Sequence, residues 1–153
     1  MLSLGFTSSP NDTHIFYAAA HSLIAGAPDF NPVIDDIDSL NCRALEGELD
    51  VVKISFHAFG FVRQEYGLLR SGGAMGSSCG PLLVAGKSVE AEALHRGDIA
   101  IPGKFTSAAL MVQLFDPALK NLRVLPYQQI MPAVQRGDVA AGVIIHESRF
   151  TYP

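Results

Sequence analysis

The sequence predicts an α/β protein, and three observations carry that reading. Short apolar or β-branched runs alternate with segments of helical periodicity along the chain, and turn-forming residues punctuate the junctions between them. The 153 residues, 48% hydrophobic and 17% charged, have the composition of folded protein rather than of a disordered segment. Strands joined through helices pair in parallel, so the expected sheets are mostly parallel and covered on both faces.

The elements follow in order. LSLGF at 2–6 is a short buried strand, and the turn-rich SSPND after it lets Asn11, Asp12 or Thr13 cap a helix. Ile15, Ala19 and Leu23, with Phe16 beside them, give that helix an apolar stripe until Gly26 and Pro28 stop it. A second extended stretch covers 30–34. Asp35 and Asp36 then open a helix at its positive end, with Ile37, Leu40 and Ala44 facing inward and Gly47 ending it. VVKIS at 51–55 is the clearest strand, and the spacing of Phe56, Phe59, Val62 and Tyr66 predicts a helix after it. GGAMGSSCG at 72–80 reads as a turn, PLLVAG as a strand, and 86–97 as a polar connector with a short helical turn. DIAIPG at 98–103 starts a second series: a strand, a GKFTSA turn, a helix over 106–115, a strand over 122–125, a helix over 127–136 and the buried strand VAAGVII at 139–145. The break in pattern predicts two lobes, 1–90 and 91–153. No helix follows the last strand to cover its sheet, so the fold is expected to be incomplete in this chain.

Composition narrows the function classes. A net charge of −4 leaves no basic surface for a nucleic-acid partner. The charge is uneven, with eight acids against one base within residues 1–50 and ten bases against seven acids afterwards. That asymmetry could steer an anionic small molecule to the second part, although a solvated surface is the plainer reading. No apolar run reaches the roughly 18–20 residues of a membrane helix. The first Lys or Arg stands at position 43, so a basic signal-peptide start is missing and a cytoplasmic location is expected. Cys42 and Cys79 lack metal-type spacing and read as free thiols. No metal is expected, because no histidine pair has HxH or HExxH spacing. GGAMGSSCG has no P-loop lysine, and a strand rather than a helix follows it, so it is not a nucleotide fingerprint.

In parallel α/β sheets, ligands bind beyond the carboxyl ends of the strands. Four polar segments fall at such ends: SSPNDT (8–13), KIS (53–55), GKFTSA (103–108) and IHES (145–148). Each taken alone reads as a helix cap; together they point to a polar pocket between two lobes. His146 alone among the histidines lies immediately beyond a predicted buried strand, and imidazole suits proton removal near neutrality. It is the candidate general base, set against the plainer reading of a packed or surface histidine. His14, His21, His57 and His95 read as helix-face or surface residues, although His14 and His57, near helix starts, could also line a pocket.

The segments SSPNDTHIFY, SLNCRALEGELDVVKISFHAF, SGGAMGSSCGPLLVA and AGVIIHESRFTYP resemble the 1,4-dihydroxy-6-naphthoate synthases of menaquinone biosynthesis, which act in the futalosine route. The resemblance implies a two-lobed fold like the type II periplasmic binding proteins, with a small-molecule cleft between the lobes. It implies a lyase that converts cyclic dehypoxanthine futalosine to 1,4-dihydroxy-6-naphthoate without a metal or organic cofactor. The family's proton acceptor matches His146. Its substrate-binding segments match Lys53, Ile54 and Ser55, and also Thr106, Ser107 and Ala108; Asn11 and Thr13 are further pocket residues. Two departures stand out: Ser9 replaces a cysteine usual in the first loop, and members of the family are considerably longer. The sister chorismate dehydratases are a further reading, against which IIHESRFTYP weighs. A non-catalytic small-molecule-binding module of the same fold, or an inactive truncated fragment, is the alternative.

Overall fold

A computed structural model describes residues 1–77, 79–86 and 89–145, which fall into two compact units, one spanning residues 1–75 and the other starting at 76.

The first unit runs β1 (Leu2–Phe6), α1 (Pro10–Ala20), β2 (Phe30–Ile34), α2 (Ile37–Leu45), β3 (Val51–Val52) and α3 (Phe56–Val62). Its sheet has the order β2-β1-β3 and is parallel throughout, with Leu2 opposite Phe30 and Leu4 opposite Val51. Leu4 and Phe6 of the central strand are buried together with Leu40, Ala44 and Leu49. Gly5 permits that packing, since a Cβ at this position would lie 2.8 Å from the Leu49 side chain and 3.0 Å from that of Leu40. Pro32 falls on β2, an edge strand among the described residues, where a missing N–H is tolerated.

Caps fix the helix starts. Ser9 caps α1, its hydroxyl accepting from the Asp12 N–H, and Pro10 occupies the first turn. Asp36 caps α2, accepting from the N–H groups of Asp38 and Ser39 at 2.9 Å each. Leu40 and Ala44 face inward as their spacing predicts, and Gly47, at φ +69°, follows the helix end.

Two expectations are corrected here. The stripe on α1 is not a core face: Ile15 and Leu23 are exposed, the helix stops at Ala20, and its one fully buried side chain is Asp12. Phe16 rests on the sheet side, 5.3 Å from the Phe6 ring. The strand expected over 51–55 is cut to Val51–Val52 because Ser55 already caps α3, although the Lys53 N–H still bonds the Gly5 carbonyl at 2.8 Å.

The second unit runs β4 (Leu82–Ala85), α4 (Ala91–Arg96), β5 (Ile99–Ile101), α5 (Ser107–Phe115), β6 (Leu122–Val124), α6 (Tyr127–Arg136) and β7 (Ala141–Ile144), with sheet order β4-β7-β5-β6. Strand alternation splits its core in two. Ile99, Ile101 and Val143 pack with Ala108, Ala109 and Val112 of α5, while Ala100 and Ile144 pack with Ile130, Ala133 and Val134 of α6. Among the described strands β4 alone runs antiparallel, with Leu82 opposite Ile144 and Ala85 opposite Ala141. That pairing moves the division expected at 90/91 to 75/76, because β4 completes the second sheet rather than the first. Among the described residues no helix is long and apolar enough to cross a membrane.

Candidate functional site

Parallel pairing of β3 with β1 brings their carboxyl ends side by side, and the polar groups that follow both strands gather there. After β1 the chain turns through Thr7 and Ser9 into α1, which carries Asp12 inward. Asp12 is fully buried and is held by three groups. The Thr7 N–H donates to Oδ2 at 3.1 Å, the Thr7 hydroxyl donates to the same oxygen at 2.7 Å, and the Lys53 ammonium lies 2.9 Å from Oδ1. A carboxylate removed from water needs such partners, and its place in the first turn of α1 adds the favourable end of the helix dipole.

Lys53, half-buried, reaches Asp12 from the residue just after β3. Ile54 beside it is half-buried. Ser55 caps α3 through its backbone, its carbonyl accepting from the Phe59 N–H at 3.0 Å, but its hydroxyl makes no cap bond. The hydroxyl faces Asn41 instead, a fully buried residue of α2. The Ser55 N–H donates to Asn41 Oδ1 at 3.0 Å, and Asn41 Nδ2 donates to Ser55 Oγ at 3.2 Å.

Asn11 and Thr13 are exposed on the first turn of α1. The Thr13 hydroxyl bonds its own helix, at 3.0 Å from the Ser9 carbonyl. A shallow, open depression on α1 is lined by Thr13, His14 and Tyr17, and neither Lys53 nor Ser55 borders it. His14 is exposed, His21 packs on Tyr17, and His57 packs edge-on against Phe61.

In the second unit, Thr106 caps α5. Its buried hydroxyl donates to the Gly103 carbonyl at 2.7 Å and accepts from the Ala109 N–H at 3.2 Å. Ser107 is exposed and Ala108 is buried, so the turn offers one outward hydroxyl above a helix N-terminus. At the other end of α5, His95 Nε2 lies 2.7 Å from Asp116 Oδ2. That bond, with the Ala118 N–H, holds the Asp116 carboxyl below its ordinary range.

Lys53, Ile54 and Ser55 thus stand together at the end of β3, while Thr106, Ser107 and Ala108 stand together on the second unit. His146 lies outside the described residues, as do Glu147 and Ser148; β7 ends at Ile144 and Ile145 is exposed. Among the described residues no three His, Cys, Asp or Glu side chains gather as a metal site.

Two polar residues escaped the sequence reading. Asp12 was weighed there only as a cap, and Asn41 was not singled out. A signal for Asn41 existed: it lies four residues after Ile37 and three before Ala44, a lone amide on the inward stripe of α2.

The chain matches the family described as menaquinone biosynthesis over residues 2–153. It is 45% identical over 152 residues to a 1,4-dihydroxy-6-naphtoate synthase of Thermus thermophilus, and 40% identical over 157 aligned positions to one of Streptomyces coelicolor. Each match covers 99% of this chain and 55% of the relative, so the chain spans about half the length of the curated relatives it matches. A crystal structure of an Archaeoglobus fulgidus protein is 32% identical with a TM-score of 0.85, over 99% of this chain and 56% of that one. The periplasmic aliphatic sulphonate binding protein of Escherichia coli is 15% identical with a TM-score of 0.56, over 98% and 55% respectively, a likeness of fold alone. The architecture is α/β and periplasmic-binding-protein-like.

Proposed function

This chain belongs to the menaquinone biosynthesis family, and on that premise we propose that it carries the strand-end groups of a 1,4-dihydroxy-6-naphthoate synthase, a lyase acting on cyclic dehypoxanthine futalosine. The observation that carries the reading is the β3 end, where Lys53 and Ser55 are each locked by a fully buried polar partner, Asp12 and Asn41. Buried amides and carboxylates spent on orienting two adjacent side chains favour a binding site over an ordinary solvated turn.

Each group has a role that its chemistry suits. His146, just beyond β7, is the proton acceptor that starts bond cleavage; a positioned base contributes about 10²–10⁴-fold. Ser55 orients the substrate, and Lys53, neutralised by Asp12, gives the pocket wall a polar head without a net charge. Ser107 and the first-turn amides of α5 hold a carboxylate or sugar oxygen and stabilise developing negative charge, with Thr106 fixing the turn and Ala108 packing beneath it. Asn11 and Thr13, exposed at the start of α1, are further candidates for contact with the substrate.

The test is release of 1,4-dihydroxy-6-naphthoate from cyclic dehypoxanthine futalosine, by the 153-residue chain alone and by the chain combined with the part of a longer relative that it does not match. Product from the combined protein, lost on His146→Ala, supports the reading. Substrate bound without turnover in the combined protein supports a binding module instead.

A further inference from the structure

The bond between Asn41 and Ser55 has a direction, and the direction leaves the Ser55 hydroxyl proton uncommitted. The Ser55 backbone N–H can only donate, so the Asn41 atom 3.0 Å from it must be the carbonyl Oδ1. This fixes the amide orientation, since a flipped Asn41 would set its NH2 against that N–H. The other end of the amide is then a donor, and it points at Ser55 Oγ from 3.2 Å. Ser55 Oγ therefore accepts a hydrogen bond from Asn41 and keeps its own proton for another partner. A helix-capping hydroxyl is normally an acceptor for first-turn amides, but here Ser55 caps no amide with its side chain. Asn41 is completely buried in α2, whereas Ser55 is only half-buried.

We infer that Asn41 is a positioning residue that leaves the Ser55 hydroxyl proton available to an acceptor oxygen (a carboxylate, phenolate or carbonyl) on the ligand at the β3 end. The inference rests on the substrate-binding role proposed for Ser55. The Ser55 hydroxyl keeps its one proton, and a second lone pair besides, so an acceptor oxygen placed beside it gains a bond that depends on Asn41 leaving the proton free. Asn41 touches no ligand in this scheme and acts only through the orientation of the Ser55 hydroxyl.

Two measurements test it. The first needs no ligand: in NMR spectra of the 153-residue chain, the Asn41 side-chain amide protons are expected to exchange slowly and to shift on Ser55→Ala. Fast exchange together with no shift overturns the inference. The second is the affinity for 1,4-dihydroxy-6-naphthoate, measured anaerobically by calorimetry. Asn41→Asp keeps the shape and the bond from the Ser55 N–H, but its second oxygen takes the Ser55 proton and turns the donor inward. Ser55→Ala and Asn41→Asp are each expected to weaken binding about ten- to a hundredfold, the range of a hydrogen bond to a charged group, and the double variant no further than either alone. Wild-type affinity in a folded Asn41→Asp, or additive losses in the double variant, overturns the inference. Should Asn41→Asp fail to fold, the exchange measurement on the wild-type chain decides. Protected Asn41 protons together with no binding of naphthoate by the combined protein overturn the proposed function and leave the donor geometry standing.

Discussion

The Lys53 ammonium lies 2.9 Å from Oδ1 of Asp12, a carboxylate with no exposed surface, across 41 positions of sequence. Two Thr7 donors complete the carboxylate, so this small cluster ties the turn after β1, the first turn of α1 and the end of β3 into one rigid corner. Anything that reads the position of Lys53 or Ser55 depends on that corner.

Removing one member leaves the other uncompensated. Lys53→Met strands a buried carboxylate and is expected to destabilise the chain by about 3 kcal/mol, the low end for breaking a buried pair because Lys53 is partly exposed. Asp12→Ala also frees both Thr7 donors and is expected to cost at least as much. Urea denaturation of the two variants checks the size, and values below about 1 kcal/mol would show that solvent screens the pair.

Asp36 offers a pH signature. Burial raises its pKa, but the N–H and hydroxyl of Ser39 and the N–H of Asp38 outweigh that and hold it below its ordinary value of 3.8. A lowered folded-state pKa means that the charged form stabilises the fold, fully above the unfolded value and progressively less as pH falls through the folded one. Asp36→Ala is therefore expected to cost about 1 kcal/mol at pH 6, the usual worth of an N-cap, and the gap from the unaltered chain should begin to narrow below about pH 4. Thermal melts at pH 6 and pH 3 measure it.

The cap of α5 answers to size as well as polarity. Thr106→Ala removes a buried hydroxyl that both donates and accepts, leaving the Ala109 N–H and the Gly103 carbonyl without it. The expected loss is about 1–2 kcal/mol, with Thr106→Ser recovering most of it. Differential scanning calorimetry of both variants separates the hydroxyl from the methyl group.

His146 is tested by the split between binding and turnover. In the active combined protein, His146→Ala is expected to lower kcat by about 10²-fold or more while substrate affinity stays within a few fold, as loss of a general base should. Equal loss of affinity and turnover would assign it a structural role.

Much of the fold was legible because it rests on local rules. Alternating periodicity, Asp35 and Asp36 at the start of α2, Gly47 after it and Thr106 at the start of α5 each depend on residues a few positions apart. The polar segments at 53–55 and 103–108 were legible as well, since a strand that ends in hydroxyl or ammonium groups announces itself. The stripe on α1 misled because apolar spacing shows that a helix has a face, not that anything covers it; Ile15 and Leu23 are exposed. β4 misled because its strand character is local, whereas its partner β7 lies some 60 positions later.

By itself the sequence determined the order of strands and helices, where α2 and α5 start, and which segments bring polar groups to strand ends. Only the tertiary structure decided how those groups are held. Parallel pairing of β1 with β3 placed Lys53 against Asp12, and the packing of α2 under Gly5 placed Asn41 beneath Ser55. The physical reason is that side-chain hydrogen bonds act only over about 3 Å, and which distant residues come that close is fixed by sheet register and helix packing, not by neighbours in the chain.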